Sequence, residues 1–287
     1  MEIEILSRET IRPTTPTQPH LRWHQLSALD QLAPQMTFHL VLFYPVNGGD
    51  LSPPAHRETV LKTSLSRLLT SFYPLAGRLR KEGPPPHGMA AVECTDEGVP
   101  FTVARADMEL DLVLQDDNSQ LDYGEPLLHL RLTHFSCASS ALGICIAHQV
   151  ADSSSFSLLL NAWSSSARLC GVGPQLTPHF TAASIFPPLN PMTSDLILPL
   201  TADSTRAARA QGLTNLCLIV SLRPRLSPPV GDDVFGNTWV MTATTTEEGI
   251  REALSKIDGE YARRVMAGRC TWRGTTRGGR PSCLVGF

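Results

Sequence analysis

The stretch that decides the fold is residues 142–152, Leu-Gly-Ile-Cys-Ile-Ala-His-Gln-Val-Ala-Asp. Its first six residues form a continuous apolar run, which is typical of a strand covered on both faces. That strand leads directly into His148, and Asp152 stands four residues later. Three serines follow, and then apolar residues recur at helical spacing over 156–168. The segment therefore predicts a buried strand, a polar turn and a helix.

The rest of the chain predicts a mixed α/β protein. Apolar residues at three- and four-residue steps favour a helix over 57–72, and a weaker pattern of the same kind favours one over 247–266. Alternating or β-branched runs indicate strands at 2–6, 38–44, 91–95, 100–104, 127–135, 216–222 and 238–244.

Composition narrows the class of function. Among 287 residues, 42% are apolar and 18% charged, which is a globular balance, and the net charge of −3 gives no general attraction to nucleic acid or an anionic membrane. The seven cysteines are scattered and contain no C-x-x-C pair, which argues against a disulfide framework or a zinc ribbon. The acidic start of the chain does not resemble a signal peptide, and no apolar run approaches a membrane span. We expect a cytoplasmic protein.

Proline clusters and a change of composition predict the division into domains. We expect an N-terminal domain at 1–190, a shortened connection at 191–215, a partial second domain at 216–266 and a divergent Arg/Gly-rich tail at 267–287. The tail is either an exposed disordered end or an RNA-binding segment, and composition favours the exposed end.

His148 is the candidate catalytic base. A histidine that leaves a strand into a polar turn can present one ring nitrogen to a cleft while a backbone carbonyl holds the other. The alternative is structural, with His148 hydrogen-bonded at a strand end and Asp152 capping the next helix. A metal shared with Cys145 is disfavoured because strand residues three apart point to opposite faces. A serine nucleophile lacks its G-x-S-x-G elbow.

Several motifs in the same order resemble the BAHD acyltransferases, and within them the alkaloid acetyltransferase branch. The residues that carry this resemblance are Ile11-Arg12-Pro13 and Pro16-Thr17, the Leu-Ser-Ala-Leu-Asp-Gln of 26–31, the Phe-Tyr-Pro-Leu-Ala-Gly-Arg of 72–78, the H-x-x-x-D of His148 and Asp152, Asn161-Ala162-Trp163, the arginine segment of 222–229 and Phe235-Gly236-Asn237.

The resemblance implies a fold, a reaction and a set of site residues. The fold would be a mixed-sheet sandwich similar to chloramphenicol acetyltransferase, with a near-complete first half and an incomplete second half. His148 would be the base that moves an acyl group, above all acetyl, from an acyl-CoA co-substrate to the hydroxyl of a plant alkaloid or terpenoid. Asp152 would pair with Arg223 or Arg225 and hold the turn. We expect a monomer with no permanently bound cofactor, no metal and no nucleic-acid or membrane partner.

The sequence also departs from the family pattern. The C-terminal D-F-G-W-G motif is absent, and the segment between 191 and 216 is too short for this part of the family's second domain. Residues after 268 match no part of the family, and Ser153 stands where many members have glycine. These departures keep a second hypothesis open, a noncatalytic remnant or binding module of the same family. Condensation domains of peptide synthetases share H-x-x-x-D but usually double the histidine, whereas residue 147 here is alanine.

Overall fold

The computed structural model describes residues 3–45, 54–84, 89–106, 121–168, 176–189, 216–244, 251, 254–258 and 260–261. The predicted connection at 191–215 and the predicted tail at 267–287 lie outside these residues. The predicted helix over 247–266 lies partly outside them.

Ten strands and four α-helices make up the described part of the chain. The strands are β1 (Glu4–Ile11), β2 (Trp23–Gln25), β3 (Thr37–Tyr44), β4 (Arg78–Arg80), β5 (Ala91–Glu93), β6 (Val99–Ala106), β7 (Leu128–Phe135), β8 (Ser140–Ala147), β9 (Leu216–Ser221) and β10 (Trp239–Thr244). The α-helices are α1 (Ala28–Leu32), α2 (Pro54–Ser71), α3 (Ser153–Arg168) and α4 (Ala182–Ile185). Short 3-10 helices cover Pro19–Leu21, Tyr73–Ala76 and Arg223–Arg225. The prediction of a mixed α/β protein is confirmed.

The largest sheet has five strands in the order β1-β6-β7-β8-β3. Strands β6 and β7 run parallel, and the other neighbours run antiparallel. Strand β8 lies between β7 and β3 and is buried along almost all of its length. Its continuous apolar run is therefore explained by neighbours on both edges and packing on its faces. This interior strand ends where His148 begins.

Helices α2 and α3 bring their apolar stripes into the main core beside this sheet. Leu65 and Leu69 of α2 are fully buried, and Leu159 and Trp163 of α3 are nearly so, in one cluster with the inward residues of β7 and β8. The Trp163 indole donates a 2.9 Å hydrogen bond to Ser64 Oγ, which satisfies the polar atom that this large ring carries inside. The helix that follows the H-x-x-x-D turn is thus fixed against the sheet.

A three-stranded sheet in the order β2-β5-β4 was only partly predicted. The strand predicted at 91–95 exists as β5, but it pairs with β2 and β4 rather than with the main sheet. Strands β2 and β4 have three residues each, which is too short for an alternating pattern to be visible in the sequence.

A second hydrophobic cluster joins early and late parts of the chain. Strands β9 and β10 form a two-stranded antiparallel sheet, and their buried residues pack with Ile257 and Tyr261. Helix α1 and Phe186 complete this cluster from the N-terminal side of the predicted boundary at 190. The two predicted domains therefore share a core here, and the domain division stays a prediction.

Candidate active site

His148 lies at the junction between β8 and the turn that leads to α3. Its backbone N–H donates a 2.8 Å hydrogen bond to the carbonyl oxygen of Met36. Its own carbonyl oxygen accepts a 2.8 Å hydrogen bond from Nδ2 of Asn237, in the segment before β10. The main chain of His148 is thus held from two sides, by residues that are 112 positions before and 89 positions after it.

The imidazole of His148 is half-buried between two aromatic rings. The rings of His148 and Phe38 pack edge to face, with centroids 4.9 Å apart and an interplanar angle of 89°. The Trp239 ring lies 5.6 Å away on a tilted plane. Nδ1 is buried, and it makes no hydrogen bond within the described residues. The expectation that a backbone carbonyl holds this nitrogen is therefore wrong, and aromatic packing orients the ring instead.

Asp152 caps helix α3 and at the same time binds an arginine. Its Oδ1 accepts a 2.8 Å hydrogen bond from the Ser155 amide, which is the usual N-cap interaction. Arg223 binds both carboxylate oxygens, at 2.7 Å from Nη1 to Oδ2 and 3.2 Å from Nη2 to Oδ1. Thr238 adds its amide and its hydroxyl to Oδ2, each at 3.1 Å. The capping role and the arginine pairing predicted as alternatives therefore coexist.

The charge of Asp152 is stabilised although the group is buried. Burial alone would raise its pKa, but the hydrogen bonds and the positive charge of Arg223, together with the amides of Ser155 and Thr238, outweigh burial and lower the pKa below its ordinary value. The side chains of Arg223 and Asp152 are only 2% and 6% exposed. This is an ionised pair sealed inside the protein.

Of the two arginines named from the sequence, Arg223 is the partner of Asp152. Its Nη2 also donates to the carbonyl oxygens of Val234 at 3.0 Å and Gly236 at 3.3 Å, so the guanidinium ties the turn after β8 to the segment before β10. Arg225 does not join them. Its Nη1 donates to the carbonyl oxygens of Leu254 and Ile257, at 2.9 and 3.1 Å. It supports the second cluster, not the H-x-x-x-D turn.

Gly236 is required by its backbone conformation and by its surroundings. Its φ of +133° lies in a region that residues with a side chain rarely adopt. A Cβ atom at this position would lie 2.9 Å from Cβ of Ala182. Its amide and carbonyl both hydrogen-bond the Ser155 hydroxyl at 3.0 Å. The glycine thus allows the segment before β10 to approach the start of α3.

A second buried carboxylate, Asp30, is connected to the main chain of His148 through Asn237. Asp30 was not named as a site residue from the sequence. Its Oδ2 accepts hydrogen bonds from the amide and hydroxyl of Ser27, in a capping box at the start of α1. Its Oδ1 accepts from the amide and side-chain nitrogen of Asn237 at 2.7 and 2.8 Å. Burial raises the pKa of Asp30, and these four hydrogen bonds oppose the rise. The Ser-x-x-Asp spacing was the available signal for the cap.

Asn237 connects this carboxylate to the candidate base. Its side-chain nitrogen donates to Asp30 and to the His148 carbonyl, while its Oδ1 accepts a 2.9 Å hydrogen bond from the Trp239 indole. The same Trp239 ring packs near the imidazole of His148. A single fully buried asparagine therefore positions both the main chain of the histidine and one of the rings beside it.

Comparison with known proteins identifies the family. The Transferase family matches residues 1–197. The chain belongs to this family, the BAHD acyltransferases. The BAHD chain is 36% identical to akuammiline synthase 2 of Alstonia scholaris over 69% of its own length and 45% of that protein. It is 32% identical to vinorine synthase of Rauvolfia serpentina over 69% of its length and 49% of that protein.

A longer alignment joins this BAHD chain to stemmadenine O-acetyltransferase of Catharanthus roseus, with 28% identity over 93% of the chain and 79% of that protein. The chain spans about half the length of akuammiline synthase 2 and vinorine synthase.

Solved structures agree with the expected fold. The crystal structure of vinorine synthase superposes with a TM-score of 0.72 at 26% identity, covering 93% of this chain and 79% of that one. TRI101 of F. sporotrichioides, complexed with coenzyme A and T-2, superposes with a TM-score of 0.62 at 16% identity, covering 85% and 76%, and supports the fold alone. The predicted fold class, a mixed-sheet protein of the chloramphenicol acetyltransferase type, is confirmed.

The described residues contain neither a candidate membrane-spanning helix nor a candidate metal site. No helix there combines the length and the apolar character that crossing a bilayer needs. No group of three or more histidine, cysteine or acidic side chains in the same part of the chain is arranged to hold a metal ion.

Proposed function

We propose that this protein is an acyl-CoA-dependent O-acyltransferase in which His148 is the catalytic base. The observation that carries the proposal is the placement of His148. Its half-buried ring lies between Phe38 and Trp239, and its main chain is fixed to Met36 and Asn237. A base held in one position contributes to catalysis because the base loses little further orientational freedom when the acceptor binds.

The proposed reaction needs one proton carrier and no covalent enzyme intermediate. His148 accepts the proton of the acceptor hydroxyl while that oxygen attacks the thioester carbonyl carbon. The tetrahedral intermediate then collapses, the carbon–sulfur bond breaks, and the imidazolium returns the proton to the leaving thiolate. Because Nδ1 is buried, the proton would pass through Nε2. An ester and free CoA are the products.

Asp152 and Arg223 would act on the shape of the site and not on the substrate. Both carboxylate oxygens of Asp152 are occupied by Arg223, Ser155 and Thr238. The pair is nearly without solvent exposure, so it has no free face for a substrate. Its task is to hold the turn that carries His148 against the segment before β10.

The relatives indicate the substrate class. Stemmadenine O-acetyltransferase and salutaridinol 7-O-acetyltransferase transfer acetyl groups by name, and the same holds for the limonoid O-acetyltransferases of Citrus sinensis. We therefore propose acetyl-CoA as the donor and the hydroxyl of a plant alkaloid or terpenoid as the acceptor. A monomeric, cytoplasmic enzyme without a permanently bound cofactor completes the proposal.

The test is a thiol-release assay with acetyl-CoA and a panel of alkaloid and terpenoid alcohols. We expect acceptor-dependent release by the wild-type chain, and its loss in His148→Ala. His179→Ala is the matched control, because the His179 side chain is 61% exposed and, within the described residues, its ring pairs with surface Asp233. Release that survives in His148→Ala, or that falls equally in both variants, contradicts the assignment of His148.

A noncatalytic binding module is the second candidate, and one observation favours it. Ile219 on β9 is 73% exposed, so an apolar part of the two-stranded sheet has no cover within the described residues. An incompletely closed cleft could retain CoA without excluding water or fixing two substrates. This candidate would be supported if both the wild type and His148→Ala were retained on immobilised CoA and neither showed acceptor-dependent thiol release.

A further inference from the structure

A thiol and an imidazole are hydrogen-bonded on the face of the five-stranded sheet that points away from the main core. His39 of β3 and Cys145 of β8 are directly opposite in the antiparallel register, and Cys145 Sγ lies 2.9 Å from His39 Nδ1. The neighbouring residues Leu40 and Ile144 pack in the core. Because side chains alternate along a strand, His39 and Cys145 lie on the other face.

The imidazole of His39 is held at both nitrogens. Its Nε2 lies 3.1 Å from the hydroxyl of Thr37, which is buried and stands two residues earlier on the same face. With the thiol protonated, Nδ1 accepts from sulfur and Nε2–H donates to Thr37. When the proton moves from sulfur to Nδ1, both nitrogens donate, and the Thr37 oxygen is still an acceptor. The transfer therefore requires no rotation of the ring.

Three basic side chains of the described residues share the sheet face of Cys145 on the two neighbouring strands. His39 faces it from β3, and His129 faces it from β7 as its direct register partner. Arg131 stands two residues further along β7 on the same face, within the diagonal distance of neighbouring strands. Basic neighbours favour the thiolate, which is the nucleophilic form of cysteine.

We propose that Cys145 is a modification site that exchanges with small-molecule disulfides, with His39 holding the displaced proton. The Cys145 thiolate attacks one sulfur of the disulfide, a new sulfur–sulfur bond forms to Cys145, and the original sulfur–sulfur bond breaks. The leaving thiolate takes the proton from the His39 imidazolium and departs as a free thiol. No separate oxidant is consumed, because the disulfide itself is the oxidising partner.

Cys94 and Cys137 supply internal references. Cys94 is buried, and burial raises its pKa to about 12, so in the folded protein its thiol is unreactive. Cys137 is exposed in the β7–β8 turn, where its sulfur lies 2.8 Å from the Ser139 hydroxyl. Within the described residues no imidazole contacts this sulfur, and Cys137 lies on a different part of the sheet. Its reaction rate should not depend on His39.

The test uses oxidised glutathione with the full chain and follows the adduct on each cysteine-containing peptide by mass spectrometry between pH 6 and 8. Stabilising the thiolate by one pKa unit raises its population about tenfold below the pKa, and lowers its intrinsic nucleophilicity about threefold. We therefore expect Cys145 to react about threefold faster at pH 7 than the same thiol in His39→Gln. The rate should also depend less steeply on pH in the wild type. Cys145→Ser should abolish this adduct.

Two results would overturn the proposal. The first is the absence of a glutathione adduct on Cys145 in the wild type. The second is an equal rate of adduct formation on Cys145 in wild type and His39→Gln, with the rate on Cys137 unchanged. Reaction at Cys94 would reveal that a variant has unfolded. In that case Thr37→Val decides, because it keeps His39 and removes only the hydroxyl at Nε2. A Cys145 rate in Thr37→Val that lies between the wild-type rate and that of a synthetic peptide spanning Cys145 supports proton transfer to His39. A wild-type rate contradicts it.

Discussion

Replacing Asp152 by asparagine should destabilise the fold strongly, because it leaves a buried arginine without its counter-charge. Arg223 is 2% exposed, and its Nη1 and Nη2 lie 2.7 and 3.2 Å from the two carboxylate oxygens. Asparagine keeps the size of the side chain and one acceptor for the helix cap, so the change removes mainly charge. Removing one member of a buried pair costs about 3–5 kcal/mol. That is a large share of the roughly 5–15 kcal/mol by which a domain is stable.

Urea unfolding of four proteins, followed by circular dichroism, measures this cost. They are wild type, Asp152→Asn, Arg223→Leu and the double variant. We expect each single variant to lose about 3–5 kcal/mol, and the double variant to lose clearly less than the sum, because no unpaired buried charge remains. Strictly additive losses, or single losses below about 1 kcal/mol, would refute the reasoning.

A surface pair of the same chemistry is the matched control. Arg105 and Glu4 lie 3.1 Å apart, with side chains 58% and 62% exposed. Glu4→Gln should change the free energy of unfolding by no more than about 0.5 kcal/mol. A loss comparable to that of Asp152→Asn would mean that burial is not the cause.

Three further changes have defined outcomes. Asn237→Ala removes one of the four hydrogen-bond donors to the buried Asp30 carboxylate, and it also removes the side-chain donor to the His148 carbonyl. We therefore expect a loss of about 1–3 kcal/mol in urea unfolding together with reduced thiol release. Burial lowers the pKa of His24 to about 4. Because the unfolded chain binds this proton at higher pH than the folded chain, stability should fall as the pH drops from about 6.5 to 4. We expect His24→Phe to flatten that part of the stability profile, measured by unfolding at a series of pH values. Gly236→Ala places a methyl group where φ is +133° and the side chain of Ala182 is close. The urea midpoint should therefore fall by an amount equivalent to at least about 1 kcal/mol. An unchanged midpoint would contradict the close approach of Gly236 to Ala182.

The pH dependence of Asp152 follows from the same buried pair. Because its pKa is lowered in the folded state, the unfolded chain binds a proton more readily. Its contribution is fully present above the ordinary carboxyl range near pH 4, and is lost as the pH falls through the folded-state value. Acid unfolding of Asp152→Asn should therefore lack this component, and an unchanged acid transition would count against the lowered pKa.

Long, strongly patterned elements were predictable from the sequence. The continuous apolar run became β8, the amphipathic segment became α2, and the segment behind three serines became α3. Their signals are local, because burial of one face or both faces imposes a repeat on neighbouring residues. The order of motifs also identified the arginine segment that provides Arg223.

The contacts that position His148 were not predictable in the same way. Asp30 and Asn237 are separated by 207 residues, and no local pattern reports a hydrogen bond between them. The choice between Arg223 and Arg225 depended on which side chain the 3-10 turn at Arg223–Arg225 directs inward. Within the described residues Nδ1 of His148 has no hydrogen-bond partner, and two aromatic rings pack near the imidazole; periodicity encodes neither feature.

The most direct measurement supplies acetyl-CoA with a deuterated acetyl group and an alkaloid or terpenoid alcohol, and follows the labelled ester by mass spectrometry. Ester detection separates acetyl transfer from hydrolysis of the thioester. We expect labelled ester from the wild type and from His179→Ala, and none above background from His148→Ala. Labelled ester from His148→Ala at the wild-type rate would contradict the central claim that this imidazole is the base.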